Sequence, residues 1–153
     1  MTFEAITAES RASLEALMIA YYQEGEDADT LIDTIRDFIE SLFQMICSGS
    51  IADALLKNDG QYEDFCLWMK DDAQSDFSEI PGYGTILEIG VRPESRKKGI
   101  GIELVQYAEA QLKKTGTEHF YVSAYGPAES FWERCGYEKT ERVAENGLPV
   151  FVK

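Results

Sequence analysis

In the first third of the chain, apolar residues recur every three to four positions. Leu14, Leu17, Met18 and Tyr21 share one face of a helix predicted from Thr7 to about Gln23, with Thr7 or Ser10 as its cap. Leu31, Ile35, Phe38, Ile39, Leu42 and Met45 repeat that spacing over a second helix, Thr30 to Cys47, which Ser48-Gly49-Ser50 ends. A polar, acidic break from Glu24 to Asp29 separates the two. The pattern then changes. Ile51 to Leu56 and Phe65 to Lys70 read as strands, and Asn58-Asp59-Gly60 between them is a hairpin signal. A loop rich in acid, Ser, Pro and Gly (Asp71 to Gly84) leads into Thr85 to Val91, apolar enough for a central strand. Helical spacing returns from Ile100 to Lys114 and stops at Thr115-Gly116. Glu118 to Tyr125 reads as a strand, and Pro127 opens a short helix, Ala128 to Cys135, that Gly136 caps. Glu138 to Val143 and Val150 to Val152 form a closing hairpin around Glu145-Asn146-Gly147. With a short opening strand at Phe3 to Ile6, the order is β-α-α-β-β-β-α-β-α-β-β. That order predicts a mixed α/β (α+β) fold.

Length and composition narrow the class. A chain of 153 residues, 44% hydrophobic, suits one domain with a real core, and no repeat or linker divides residues 1–153. No apolar run reaches about 18 residues, so no membrane span is expected. The start, MTFEAITAES, lacks the charged and apolar regions of a signal peptide. Cys47, Cys66 and Cys135 are widely spaced and odd in number, which points to reduced thiols and a cytoplasmic location. His119 is the one histidine, so a His-based metal site is not expected.

The net charge of −14 is uneven. Up to Val91 there are 19 acidic and 4 basic residues; from Arg92 onward there are 9 acidic and 10 basic. The acidic front repels nucleic acid and anionic lipid and attracts cations. A solvated, solubilising surface explains the same charge equally well.

The balanced second half carries the most specific stretch, Ile86 to Gly116. An apolar strand runs into Val91-Arg92-Pro93, then Arg96-Lys97-Lys98-Gly99-Ile100-Gly101, then the helix. A helix start offers unpaired N–H groups and a positive dipole end, and Gly99 and Gly101 let a ligand approach the backbone. A Walker loop is absent, and Leu104 stands where a dinucleotide fingerprint needs its third glycine. The R-x-x-G-x-G pattern resembles the acyl-CoA pyrophosphate loop of the GNAT superfamily of N-acetyltransferases. A second stretch is similar to that family's later motif: Ala128, Phe131 and Gly136-Tyr137 fit, while Tyr125 and Trp132 replace the usual Asn and Tyr. The predicted element order is also the family's, over nearly the whole chain.

The resemblance implies acetyl-CoA as co-substrate, no metal, and a primary amine, cationic by the charge argument, as acceptor. It implies that Ile89, Gly90 and Val91 pair with the pantetheine arm, and that Arg96, Lys97, Lys98, Gly99, Ile100, Gly101 and Ile102 surround the pyrophosphate. Thr85 and Leu87, where the family often has a base, are unable to take a proton. Glu88 is the ionisable residue of that strand, although simple alternation points it away from the Leu87 and Ile89 face. Glu79, Tyr83 and Tyr121 are weaker bases. With Trp132 unable to serve as acid, Tyr125 is the candidate donor. Family members are often dimers, so a homodimer is compatible. Two alternatives stay open: an acyl-CoA-binding sensor of the same fold without turnover, and an α/β binding domain whose glycine turn is only structural.

Overall fold

The computed structural model describes residues 1–24 and 32–153. Its elements are β1 (Thr2–Glu4), α1 (Arg11–Glu24), α2 (Ile32–Cys47), β2 (Ala52–Asn58), β3 (Gln61–Lys70), β4 (Gly84–Gly90), α3 (Ile100–Lys114), β5 (Phe120–Ser123), α4 (Glu129–Arg134), β6 (Glu138–Val143) and β7 (Pro149–Val152). Among the described residues the strands form one sheet in the order β1-β2-β3-β4-β5-β7-β6. The element order is the expected one. Of the acidic break between the first two helices, Glu26, Asp27 and Asp29 lie outside the described residues.

Two compact units divide the chain: residues 1–67 with 88–104, and residues 68–87 with 105–153. In the first unit, β1 pairs antiparallel with β2, Phe3 opposite Leu56. The Thr7–Ser10 turn precedes α1. There the Thr7 N–H donates to Ser10 Oγ (2.8 Å) and the Ser10 N–H to Thr7 Oγ1 (3.3 Å). This reciprocal cap takes up residues that helical spacing had assigned to the helix itself. The two helices bury Leu14, Met18, Ile35, Ile39, Leu42 and Phe43. Asp59 (φ 48°) and Gly60 (φ 82°) make the left-handed pair of a two-residue hairpin. That tight turn extends β3 back to Gln61, so Tyr62, Glu63 and Asp64 belong to the strand.

In the second unit, β4 and β5 are parallel through Gly84 opposite Phe120 and Thr85 opposite Tyr121. Both β5 and β6 pair antiparallel with β7. Tyr121, Ala144 and Val150 form a buried cluster with Ile80, Tyr83 and Val152 against it. Buried Asp71 organises the loop after β3: its carboxylate accepts from the Ala73, Glu79 and Ile80 amides, from Ser78 Oγ and from the Tyr121 hydroxyl. Glu109 of α3 is also buried, but Lys153 Nζ lies 2.8 Å from its carboxylate.

Candidate active site

The stretch expected to hold a phosphate begins where β4 stops. Gly90 ends the strand against the Phe65 ring, which leaves no room for a Cβ there. Next, the Arg92 N–H donates to Asp64 Oδ1 at 2.7 Å. Pro93–Ser95 makes one 3-10 turn, closed by the Ser95 N–H on Arg92 O (2.9 Å). Arg96 is extended, Lys97 is left-handed at φ 60° and Gly99 at φ 87°, and α3 starts at Ile100. Such changes of hand turn successive amides into one concavity, a shape that takes anions. The side of Gly99 where a Cβ would stand is open, with nothing within 4 Å. Lys97, Lys98 and Gly99 are exposed, and Ile100, Gly101 and Ile102 half-buried, so a phosphate has access to this helix start.

Arg96 is engaged elsewhere. Its Nε donates to Val91 O (2.9 Å), and its two Nη atoms reach the carboxylate of Glu24, the last residue of α1, at 2.5 and 2.6 Å. Glu24 is held below the usual carboxylate range, first by that hydrogen bond. Arg92 pairs with Glu63 at 3.1 Å. These two ion pairs rim a pocket of about 40 Å³ whose apolar wall includes Leu17, Tyr21, Phe65, Val91 and Pro93.

Glu88 lies in the same unit, two residues before the end of β4. Leu87, Glu88 and Ile89 are all half-buried, so the expected alternation of burial lapses here. Burial pushes the Glu88 carboxyl up to about 7, while a hydrogen bond from Tyr22 of α1 opposes the shift. Glu88 therefore sits beside α1, and a carboxyl near neutrality is suited to take a proton at physiological pH. Sequence reasoning missed Tyr22. Helical spacing marks Tyr21 as the inward residue, and only the structure shows its neighbour reaching Glu88.

Tyr125 belongs to the second unit. It is 39% exposed, and its carbonyl accepts the Ala128 N–H (2.9 Å) in the turn ahead of α4. Trp132 is buried edge-on to Tyr137, ring centroids 5.3 Å apart, in a packing role. Tyr121 is pinned: its hydroxyl donates to Asp71 Oδ2 (2.8 Å), and burial followed by the Asp71 contact drives the phenol far above its ordinary value. His119 is exposed and stacks on Tyr83 at 5.3 Å. Burial raises the Cys135 thiol to about 11, as for an inert packed cysteine. Among the described residues no group of His, Cys, Asp and Glu side chains is arranged to hold a metal ion.

The Acetyltransferase (GNAT) domain family matches residues 54–139, more than half of the chain and the whole of the loop and its strand. The chain belongs to the GNAT acetyltransferases. Membership makes it an acyltransferase that uses acetyl-CoA, as the loop led us to expect. No curated protein sequence matches the chain. Solved structures share the fold at low identity. PaiA N-acetyltransferase from Thermoplasma acidophilum, in complex with coenzyme A, is 17% identical with a TM-score of 0.75, covering 100% of this chain and 99% of that one. Ribosomal-protein-alanine N-acetyltransferase from Brucella melitensis is 15% identical with a TM-score of 0.75, covering 100% and 99%. An aminoglycoside antibiotic 6'-N-acetyltransferase from Acinetobacter haemolyticus is 16% identical with a TM-score of 0.74, covering 94% and 95%.

Proposed function

We propose that residues 1–153 act as one GNAT N-acetyltransferase domain that moves an acetyl group from acetyl-CoA to a primary amine by direct attack. The acceptor is a cationic small molecule or peptide, a reading supported by the acidic front half. Glu88 carries the proposal: a half-buried carboxyl poised near pH 7 is the base an ammonium acceptor needs. Glu88, directly or through water, takes a proton from the acceptor nitrogen. The freed amine attacks the thioester carbon, the C–N bond forms, and the C–S bond breaks as CoA leaves. Tyr125 returns a proton to the departing sulfur. The amides from Lys97 to Ile102 hold the pyrophosphate, with Lys97 and Lys98 adding charge, and Ile89, Gly90 and Val91 pair with the pantetheine arm. Arg96 belongs to this set through the backbone it braces at Val91.

A cytoplasmic location, a homodimer and a lack of nucleic-acid partners belong to the same proposal. The three free cysteine thiols support the location.

One observation favours the sensor reading over the enzyme: Trp132, where the family often has its acid, is packed away in the interior. Calorimetric titration with acetyl-CoA and with CoA, followed by a panel of amines scored for thiol release, separates the two readings. Micromolar binding with release supports the enzyme; binding without release from any amine supports the sensor. No binding at all sinks both. Gly99→Glu tests the loop itself. It places a like charge beside the phosphate and strains a left-handed position, and we expect acetyl-CoA to bind at least tenfold more weakly. Parental affinity in a folded Gly99→Glu variant would remove the loop assignment.

A further inference from the structure

Asp64 is a carboxylate buried to 0% exposure in the apolar stretch of β3. Its Oδ1 accepts the Arg92 backbone N–H at 2.7 Å, and its Oδ2 is buried without a hydrogen-bond partner. Arg92 Nε is likewise buried and unpartnered. Half-satisfied burial of a charge is destabilising, so packing alone gives no reason for an aspartate here. Its one strong contact says what it does. Arg92 is the second residue past β4, and an amide tied to Asp64 is withdrawn from any further strand pairing. The chain must turn there. Pro93 then restricts φ, and Ser95 closes the 3-10 turn back onto Arg92 O. Glu63, the residue before Asp64, holds the Arg92 side chain at 3.1 Å. Two consecutive residues of β3 therefore grip the main chain and the side chain of one residue. The left-handed Lys97 and Gly99 come five and seven residues after that fixed point, just ahead of α3.

We infer that Asp64 is a positioning residue for acetyl-CoA, holding the backbone at Arg92 so that the amides from Lys97 to Ile102 stand ready for the pyrophosphate. It touches no substrate itself. The inference rests on the loop reading given under Proposed function. Burial lifts the Asp64 carboxyl above its ordinary value, the Arg92 amide opposing and the Glu63 and Glu94 charges adding to the rise.

The experiment compares parent, Asp64→Asn and Asp64→Leu by calorimetric titration with acetyl-CoA, with thermal unfolding alongside and amide hydrogen exchange read at Arg92. Asn keeps an acceptor oxygen for the Arg92 N–H; Leu keeps the bulk and loses it. We expect Asp64→Asn to bind within about twofold of the parent and Asp64→Leu to bind at least tenfold more weakly while still folded. The Arg92 amide should be protected in the parent and in Asp64→Asn, and exchange freely in Asp64→Leu. Parental binding by Asp64→Leu overturns the inference, and so does equal weakening by both variants. Should Asp64→Leu fail to fold, the parent and Asp64→Asn still decide: an Arg92 amide exchanging as fast as an open loop, or an Asn variant that binds tenfold weaker, overturns it. A parent that fails to bind acetyl-CoA defeats the loop reading first and this inference with it.

Discussion

Two carboxylates, one in each unit, meet burial in opposite ways. Asp71 is 1% exposed and receives three amides and two hydroxyls. Burial by itself would raise it, but those donors win and hold its carboxyl below the ordinary value of 3.8. Glu88 is half-buried, with Tyr22 as its one opposing donor, and burial wins. A buried carboxylate saturated with donors is a fastener: the loop from Asp71 to Tyr83 is tied to it. One left short of donors keeps a proton close to neutral pH and is available for chemistry. Asp71 has five donors where Glu88 has one, and burial weighs more heavily on Glu88.

The largest expected effect breaks the comparison at Glu88. Glu88→Gln keeps the shape and loses the basic oxygen. We expect acetyl transfer to fall by about 10²- to 10⁴-fold near pH 7, while acetyl-CoA affinity stays within a few-fold. Thiol release measured from pH 6 to 9 checks this, and an unchanged rate removes Glu88 from the mechanism. Next comes Asp71→Ala, which strands the Glu79 and Ile80 amides and the Tyr121 hydroxyl. A cost of about 3 kcal/mol in urea unfolding is expected. A loss below about 1 kcal/mol would mean that the donors find other partners and that Asp71 is no fastener.

The pH dependence of stability sharpens the same contrast, because the two groups have opposite signs. Glu88 has its pKa raised from 4.5 on folding. The stability it contributes is fully present below pH 4.5 and is lost as pH rises through about 7, where the buried carboxylate ionises. Asp71 has its pKa lowered, so its contribution is present above about pH 4 and is lost as pH falls below that. Between pH 5 and 8 the parent should lose on the order of 2 kcal/mol relative to Glu88→Gln. Parallel curves for the two proteins would show that Glu88 ionises freely and that burial leaves it unperturbed.

The fold was more legible in the sequence than the surroundings of its carboxylates. The full element order was legible, because helical and strand periods alternate cleanly and turn residues separate them; α3 and β6 fall on the residues that periodicity marks. Ends were less legible where side chains rewrite the backbone. The Thr7–Ser10 cap delays α1 to Arg11, and the hairpin at Asp59-Gly60 draws polar residues into β3. The proposed phosphate loop stood out in the sequence as a motif, and the left-handed Lys97 and Gly99 ahead of α3 give it the backbone such a motif needs. What surrounds it did not stand out. Asp64 falls between the two strands predicted there, and nothing local says that its carboxylate reaches a backbone amide 28 residues on. Likewise alternation pointed Glu88 away from the Leu87 and Ile89 face, and a strand pattern discloses nothing of the Tyr22 hydroxyl that acts on it.

The smallest effect tests why the two carboxylates differ. If donor number sets the contrast, removing the donor on Glu88 must move it further from Asp71. Tyr22→Phe deletes one hydroxyl and keeps the ring, which packs edge-on to Tyr21 and Phe38 at 5.1 and 5.7 Å. Without that hydrogen bond the ionised form of Glu88 loses its stabiliser, so its pKa rises above about 7. The acidic limb of the rate profile should shift to higher pH by about half a unit to one unit, equivalent to about 1 kcal/mol, with the plateau rate at pH 9 unchanged. A limb that stays in place while the plateau falls would instead put the Tyr22 hydroxyl in the reaction itself. The contrast with Asp71 would then reflect burial alone.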